Sequence, residues 1–417
     1  MIIAPLRLGI AGLGTVGVGV LKIINKNASL ISLRTGRDVI VTAVSARSRS
    51  KDRGINLSGF AWENDPIALA MREDVDVFVE LIGGSDGPAK DATEAAIAAG
   101  KDVVTANKAM LAVHGQSLAL AAESAGRAIR FEAAIAGGIP VVKALSEGLA
   151  GNKINRILGV MNGSCNYILT RMETSGLTYE DIFAEANALG YLEADPNLDV
   201  GGIDAAHKLA LLASIAYGTE VDFDNVVLEG IGAVTIEDIR AAADMGYRVK
   251  LLGVAQMTGR GLEQRMTPCL VPTISPLGQL EGGTNMVILE GDDSGQIVLR
   301  GAGAGEGPTA SAVMSDILDL ARGLRLNTFG QPAKTLSKAH PAATTTPAPF
   351  YLRMQLLDKP GALAKIAAVM GEAGVSIDRM RQYGHDGSKA PVLIVTHKTT
   401  RAAIDQVLVD FNITNVV

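Results

Sequence analysis

Residues 189–212, LGYLEADPNLDVGGIDAAHKLALL, set Glu193, Asp195, Asp199, Asp204 and Lys208 around the start of an apolar helix. Gly201 and Gly202 break the preceding loop, and residues 205–213 read as a buried helix. Asp204 then falls at or near its N-cap, with Lys208 one turn later on the same face. An isolated Asp-x-x-x-Lys pair is ordinarily a capped helix with a surface ion pair of little worth. Here three further carboxylates lie ahead of it. A half-buried face offering both a carboxylate and an ammonium suits a small polar substrate that bears both charges.

The elements that must position this set begin at the N-terminus. Leu6 to Ala11 is a short apolar strand that runs into Gly12-Leu13-Gly14-Thr15-Val16-Gly17 and then an apolar-periodic helix over 18–24. In a strand-turn-helix context these glycines permit a tight turn and let backbone approach a pyrophosphate at the helix N-terminus, which points to dinucleotide binding. The second strand, Val39 to Ser45, ends without the acid that takes a ribose 2′-hydroxyl; it leads instead into Arg47, Ser48, Arg49 and Lys51, which favours NADP and leaves NAD possible. A third strand over 75–82 precedes Gly83-Gly84, and a helix over 91–99 stops at Gly100. Val103-Val104 opens a fourth strand that ends at Lys108, able to reach the nicotinamide side of a cofactor or the substrate, or simply to begin the next helix from the surface. A fifth strand over 129–134 carries Glu132 in surroundings too apolar for an unpartnered carboxylate.

From Ile154 the pattern shifts to short alternating strands with NGSCNYI at 162–168 and a helix over 179–188, a second domain with an antiparallel sheet covered by helices. Further strand-like runs fall between 266 and 300. The glycine-rich turn 301–309 then enters a helix over 310–323, either returning the chain to the nucleotide domain with backbone at the cofactor or acting as a hinge. Residues 333–349 are small, polar and proline-bearing and read as a flexible linker. Beyond it, 350–417 alternates β-α-β-β-α-β, a ferredoxin-like module whose Asp358-Lys359-Pro360-Gly361 turn opens a helix and could hold an amino acid's carboxylate.

The 417 residues allow about three domains. A net charge of -6, from 38 Lys and Arg against 44 Asp and Glu, with no basic tract, argues against nucleic acid. No uninterrupted apolar segment approaches the ~20 residues of a membrane span, and two cysteines, Cys165 and Cys269, are too few for a disulfide framework; a cytoplasmic protein is expected. Five scattered histidines show no metal-ligand spacing.

GLGTVG, TANK, FEAAIAGGIP, NGSCNYI, LGYLEADPNLDVGGIDAAHKL and GAGAGEGPTASAVMSD, in that order, resemble the homoserine dehydrogenases of the longer form with a C-terminal ACT domain; Ser164 stands where that family often shows Thr. The resemblance implies an α/β chain. Residues 1–139 would form a Rossmann-type nucleotide-binding domain completed by about 301–332, 140–300 an α+β catalytic and dimerisation domain, and 350–417 the ACT domain, in a homodimer or homotetramer. It implies NADP-linked interconversion of L-aspartate 4-semialdehyde and L-homoserine, with Lys208 as proton donor, Glu193 and Asp204 on the substrate and Asp199 nearby. Cofactor contacts would fall on Gly12, Gly14, Thr15, Val16, Gly17, Lys108, Gly163, Asn166 and Gly305. A structural sodium ion would take Glu132 and the backbone oxygens of Ile135, Gly137 and Ile139. L-Threonine is the effector expected near Asp358, Gly361, Ala362 and Leu363. A hydride delivered to an aldehyde makes an alkoxide that an ammonium stabilises and protonates, which fits Lys208. An aspartate-semialdehyde dehydrogenase would instead need Cys165 as an activated nucleophile, and a nucleotide sensor without catalysis would not need Lys208.

Overall fold

In the computed structural model, which describes residues 3–192, 195–383 and 387–417, the chain is built on three sheets. The first contains β1 (Leu6–Ala11), β2 (Val39–Ser45), β3 (Ala61–Glu63), β4 (Val77–Glu80), β5 (Asp102–Thr105) and β6 (Ile129–Arg130), all parallel. Their order is β3-β2-β1-β4-β5-β6, so the winding reverses between β1 and β4, where sheets of this kind bind ligands beyond the strands' carboxyl ends. The central strands β1, β4 and β5 are mostly apolar because helices cover both faces. Gly12, the first residue after β1, has φ 101°, and a Cβ there would lie 2.3 Å from the Leu81 carbonyl after β4. The glycine turn is thereby pressed against the switch point.

The helix after it spans Thr15–Thr35, longer than expected, with a kink at Asn27 and a left-handed Gly36 at its end. By length and hydropathy alone this helix could cross a membrane. It is instead seated in the core, with Val20 and Leu21 buried. β3 and the helix Pro66–Met71, started by the Asp65 cap, were not foreseen. The fifth strand is shorter than 129–134. β6 ends at Arg130 and a tight turn covers Glu132–Ala134, because the Glu132 carboxylate turns back to accept the Val142 and Lys143 amides at 2.9 and 2.8 Å.

The second sheet contains β7 (Ile154–Val160), β8 (Val227–Leu228), β9 (Tyr247–Thr258), β10 (Gly261–Pro272), β11 (Thr284–Gly291) and β12 (Gly295–Ala302), in the order β12-β11-β7-β9-β10-β8. Every pairing is antiparallel except β8 with β10. β9 and β10 form a twelve-rung hairpin that begins well before residue 266; buried Lys250 interrupts the apolar pattern of β9 and hides it in the sequence. The helices Gly163–Ser175 and Ile203–Tyr217 pack on this sheet through Cys165, Ile168, Leu169, Leu209 and Leu212.

After β12 the chain enters the helix Glu306–Ala321, which lies along Thr15–Thr35; a Cβ on Gly19 would come within 2.9 Å of Ala310, and Lys22 pairs with Glu306 at 2.7 Å. Residues 333–349 are not loose. Ser337 and Pro341 bridge to Thr219 and Leu262, Arg260 donates to the Thr344 carbonyl at 3.0 Å, and Thr346 donates to Glu263 at 2.8 Å.

The third sheet contains β13 (Tyr351–Leu357), β14 (Ile377–Gln382) and β15 (Lys389–Thr396), in the order β13-β15-β14, with helices Ala362–Glu372 and Arg401–Ile413. The expected last strand at 413–417 does not form. The helix runs on to Ile413, Asn415 takes φ 53°, and a single Leu357 amide to Val416 carbonyl bond of 2.7 Å remains. Leu393 and Val395 of this sheet pack on Ala241 and Met245, which lie on and just after the helix Ile236–Asp244 of the second unit.

Candidate active site

The helix Ile203–Tyr217 is started by Gly202 in a left-handed conformation (φ 82°), so Asp204 lies in its first turn and is not its cap. Asp204 is 6% exposed and Lys208 8%, far more buried than an ordinary surface pair. Lys208 Nζ lies 2.6 Å from Asp204 Oδ2 and donates to the Met161 carbonyl at 2.9 Å. The other oxygen, Oδ1, is 2.7 Å from Lys108 Nζ. Lys108 begins the helix Lys108–Ser124 just after β5, so the first sheet and the second unit each bring one ammonium to a single carboxylate. Burial would raise the Asp204 pKa, but Lys208 and Lys108 outweigh it and hold the carboxyl well below the usual range.

Asn162 ties the second carboxylate in. It caps the helix Gly163–Ser175, its Oδ1 taking the Cys165 amide at 2.8 Å, while its Nδ2 donates to Asp199 Oδ1 at 2.8 Å and reaches Asp204 Oδ2 at 3.5 Å. Asp199 is buried in the short helix Pro196–Val200, and Asp195 is that helix's cap, accepting the Asn197 amide at 3.1 Å. Glu193 lies outside the described residues. Two lysines and two aspartates thus converge, a set that can donate a proton to an oxygen and hold a cationic group. Cys165 lacks the exposure and activating partner of a nucleophile: it is fully buried, burial pushes its thiol pKa well above the ordinary value, and its Sγ donates to the Asp199 carbonyl at 3.2 Å.

At the β1/β4 switch the turn Gly12, Gly14, Thr15, Val16 and Gly17 opens the helix Thr15–Thr35, and a Cβ at Gly14 would face open space. Arg47 is exposed just beyond β2. Arg53, not singled out in the sequence, closes the loop after β2 by donating to the Leu13 and Ser48 carbonyls at 3.0 and 2.7 Å. Glu80 was also missed. Fully buried at the end of β4, it accepts the Ile82 and Gly83 amides at 2.7 and 3.0 Å and the Thr105 hydroxyl at 2.5 Å, so it shapes the loop beside the glycine turn. A lone acid ending an apolar strand was the available signal. Gly305, φ 110°, precedes the first turn of Glu306–Ala321.

Gly163 has no room for a side chain, since a Cβ would sit 2.6 Å from the Gly283 carbonyl. Asn166 is buried and its carboxamide is engaged by protein on both sides, donating to the Gly282 carbonyl at 2.7 Å and accepting from Lys250 at 2.8 Å. Its side chain therefore faces the 280–284 loop.

Glu132 is buried, and burial together with the Asp316 charge pushes its pKa up to about 7. Gly137 is pressed against Gly303, while the Ile139 carbonyl already accepts the Val141 amide at 2.8 Å. No group of three or more His, Cys, Asp or Glu side chains fit for a metal occurs among the described residues. In the third unit Gly361 (φ 85°) starts the helix Ala362–Glu372, Asp358 is exposed in the turn before it, and Ala362 is buried with Leu363 half-buried.

Comparison with known proteins assigns these features to families. The model described as homoserine dehydrogenase matches residues 140–318, its NAD-binding-domain model matches 12–132, and the ACT domain model matches 350–409. Homoserine dehydrogenase of Neisseria gonorrhoeae is 43% identical over 96% of this chain and 93% of its own length. The chain belongs to the homoserine dehydrogenase family. The Pseudomonas aeruginosa homoserine dehydrogenase is 41% identical over 97% of this chain and 94% of its own length. The crystal structure of a homoserine dehydrogenase from Thiobacillus denitrificans superposes with a TM-score of 0.94 at 37% identity, covering 100% of this chain and 97% of its own. A hyperthermophilic archaeal homoserine dehydrogenase, solved in complex with NADPH, matches with a TM-score of 0.66 at 26% identity over 77% of this chain and 98% of its own. As a homoserine dehydrogenase the chain is an oxidoreductase of amino-acid biosynthesis acting on a small molecule, and its 140–318 match contains Asn162, Asp199, Asp204 and Lys208.

Proposed function

We propose that the chain interconverts L-aspartate 4-semialdehyde and L-homoserine at the Asp204 cluster, with NADP as the preferred cofactor. The observation that carries this reading is the Asp204 carboxylate shared by Lys208 and Lys108 at 2.6 and 2.7 Å. A bound nicotinamide dinucleotide supplies or takes the hydride. Lys208, aimed by Asp204 and the Met161 carbonyl, gives the proton that turns the developing alkoxide into the alcohol, and Lys108 adds a second positive charge. Asp204 uses one lone pair of each oxygen on the lysines and keeps others for the substrate's ammonium, alongside Asp199 and Glu193.

The glycine turn at the strand switch fits a dinucleotide pyrophosphate: Gly12 and Gly17 have no space for side chains, and Gly14 opens outward. NADP is favoured because β2 ends at Ser45 with Arg47 and Arg49 exposed after it and no acid beside them. Glu132, a buried carboxyl beside carbonyl-rich backbone at 135–139, would hold a sodium ion with oxygens of Ile135, Gly137 and Ile139, a donor set suited to an undemanding monovalent cation. L-Threonine is the proposed effector, at Asp358 to Leu363 of the ACT unit, and a homodimer or homotetramer the proposed assembly. Cofactor oxidation with the semialdehyde and each reduced dinucleotide tests the reading. NADPH should be used in preference to NADH, and no turnover with either would overturn it.

A further inference from the structure

Lys250 is 2% exposed in β9, yet its ammonium touches no carboxylate among the described residues. The nearby acids are occupied: Arg248 binds Glu173 at 3.0 Å and Glu281 at 2.9 Å, leaving them only a longer-range influence on Lys250. An ammonium is costly to bury, so a lysine placed this way commits its donors to specific acceptors. Two of those acceptors are Asn166 Oδ1 at 2.8 Å and the Leu280 carbonyl at 2.5 Å. Asn166 passes the restraint on through Nδ2, which donates to the Gly282 and Thr284 carbonyls at 2.7 and 3.3 Å. The 280–284 loop is thus fastened from both ends to the first turn of the helix Gly163–Ser175.

Two parts of the site lean on that fastening. Gly163 abuts the Gly283 carbonyl, and the residue before it is Asn162, which holds Asp199. On the loop's other side, a Cβ at Gly283 would lie 3.3 Å from the Tyr191 ring; the Tyr191 carbonyl accepts the Ser164 hydroxyl at 2.6 Å, and its ring stacks on Tyr167 at 4.2 Å.

We infer that Lys250 is a positioning residue for the amino-acid substrate: through Asn166 it locks the 280–284 loop and so places the Asn162 turn and Tyr191, two residues before Glu193 in the acidic stretch. This rests on the Asp204 cluster being the substrate site. The test uses the full chain with Lys250→Met, Asn166→Ser and the double variant, measuring kcat and KM for the semialdehyde, the NADPH dissociation constant by fluorescence, and thermal melting. A hydrogen bond from a charged group is worth enough that Lys250→Met should raise the substrate KM about 10-fold, with kcat and NADPH affinity changed by less than about 3-fold. Because both residues act through one link, the double variant should be no worse in KM than the worse single variant. An unchanged KM in Lys250→Met, or effects that simply multiply in the double variant, overturns the inference. Should Lys250→Met fail to fold, Asn166→Ser must raise the substrate KM by about as much, and a normal KM there overturns it equally. A wild-type enzyme inert toward the semialdehyde would instead sink the functional reading.

Discussion

At the scale of single residues, we propose that Lys208 gives the proton and Asp204 aims it. Lys208→Ala should lower turnover by about 100-fold or more while NADPH still binds, since general acid catalysis is worth about that much. Steady-state kinetics beside a fluorescence titration of the cofactor separate the two, and an intact turnover number would end the assignment. The Arg47→Ala, Arg49→Ala double variant should raise the KM for NADPH and leave that for NADH nearly unchanged; equal losses would assign these residues to folding or to the pyrophosphate. The Asp204 and Lys208 pair was legible because an i,i+4 spacing puts two side chains on one face whatever the tertiary fold. Lys108 was legible only as a lysine at a strand end, because its approach to Asp204 depends on how the two units meet. Asn162 was hidden for another reason. An asparagine before a helix reads as a cap, and here the same carboxamide caps with one atom and holds Asp199 with the other.

At the scale of elements, buried charge explains where the sequence pattern misled. The apolar run at 129–134 predicts a strand, but Glu132 must satisfy its carboxylate and bends the chain to the amides at 142–143, ending β6 early. Lys250 likewise masked β9, while the short, consistent runs of β1, β2, β4 and β5 were found in place. Glu132 also gives a pH prediction. Its pKa is raised by burial from the ordinary carboxyl value to about 7, so the folded state binds the proton more tightly than the unfolded chain. Stability from this group is full below the unfolded pKa and is lost as pH rises through about 7, a loss on the order of 3 kcal/mol. A sodium ion at Glu132 would offset that loss. Melting temperature should therefore gain more from sodium than from an equal concentration of choline at about pH 8, and little from either at about pH 5. Equal responses to the two cations at both pH values would remove the ion from Glu132.

At the scale of the whole molecule, the third unit is docked onto the second. Asp238 completes a capping box with Thr235 at the start of the helix Ile236–Asp244 and also accepts the Tyr351 hydroxyl at 2.7 Å and Arg353 at 2.5 Å. With 333–349 strapped down as well, the ACT unit is not a freely tethered appendage, as the composition of that stretch had suggested. Truncation near Thr345 should leave an active enzyme that melts at a lower temperature, because Ala241 and Met245 lose their cover. It should also abolish inhibition by millimolar L-threonine, and linkage then requires substrate or cofactor to weaken threonine binding by the same factor, typically ~5- to 150-fold. Threonine inhibition surviving truncation would move the effector site into the other units. Recognition by the Asp204 cluster of an aldehyde bearing an ammonium is tested by NADPH oxidation in the full chain with L-aspartate 4-semialdehyde against succinic semialdehyde, which lacks the amino group. Turnover of the first is expected, with a kcat/KM lower by about 100-fold or more for the second, because the acceptor positions that the cluster keeps for the ammonium go unused. Equal kcat/KM for the two aldehydes, or no oxidation with the first, would contradict it.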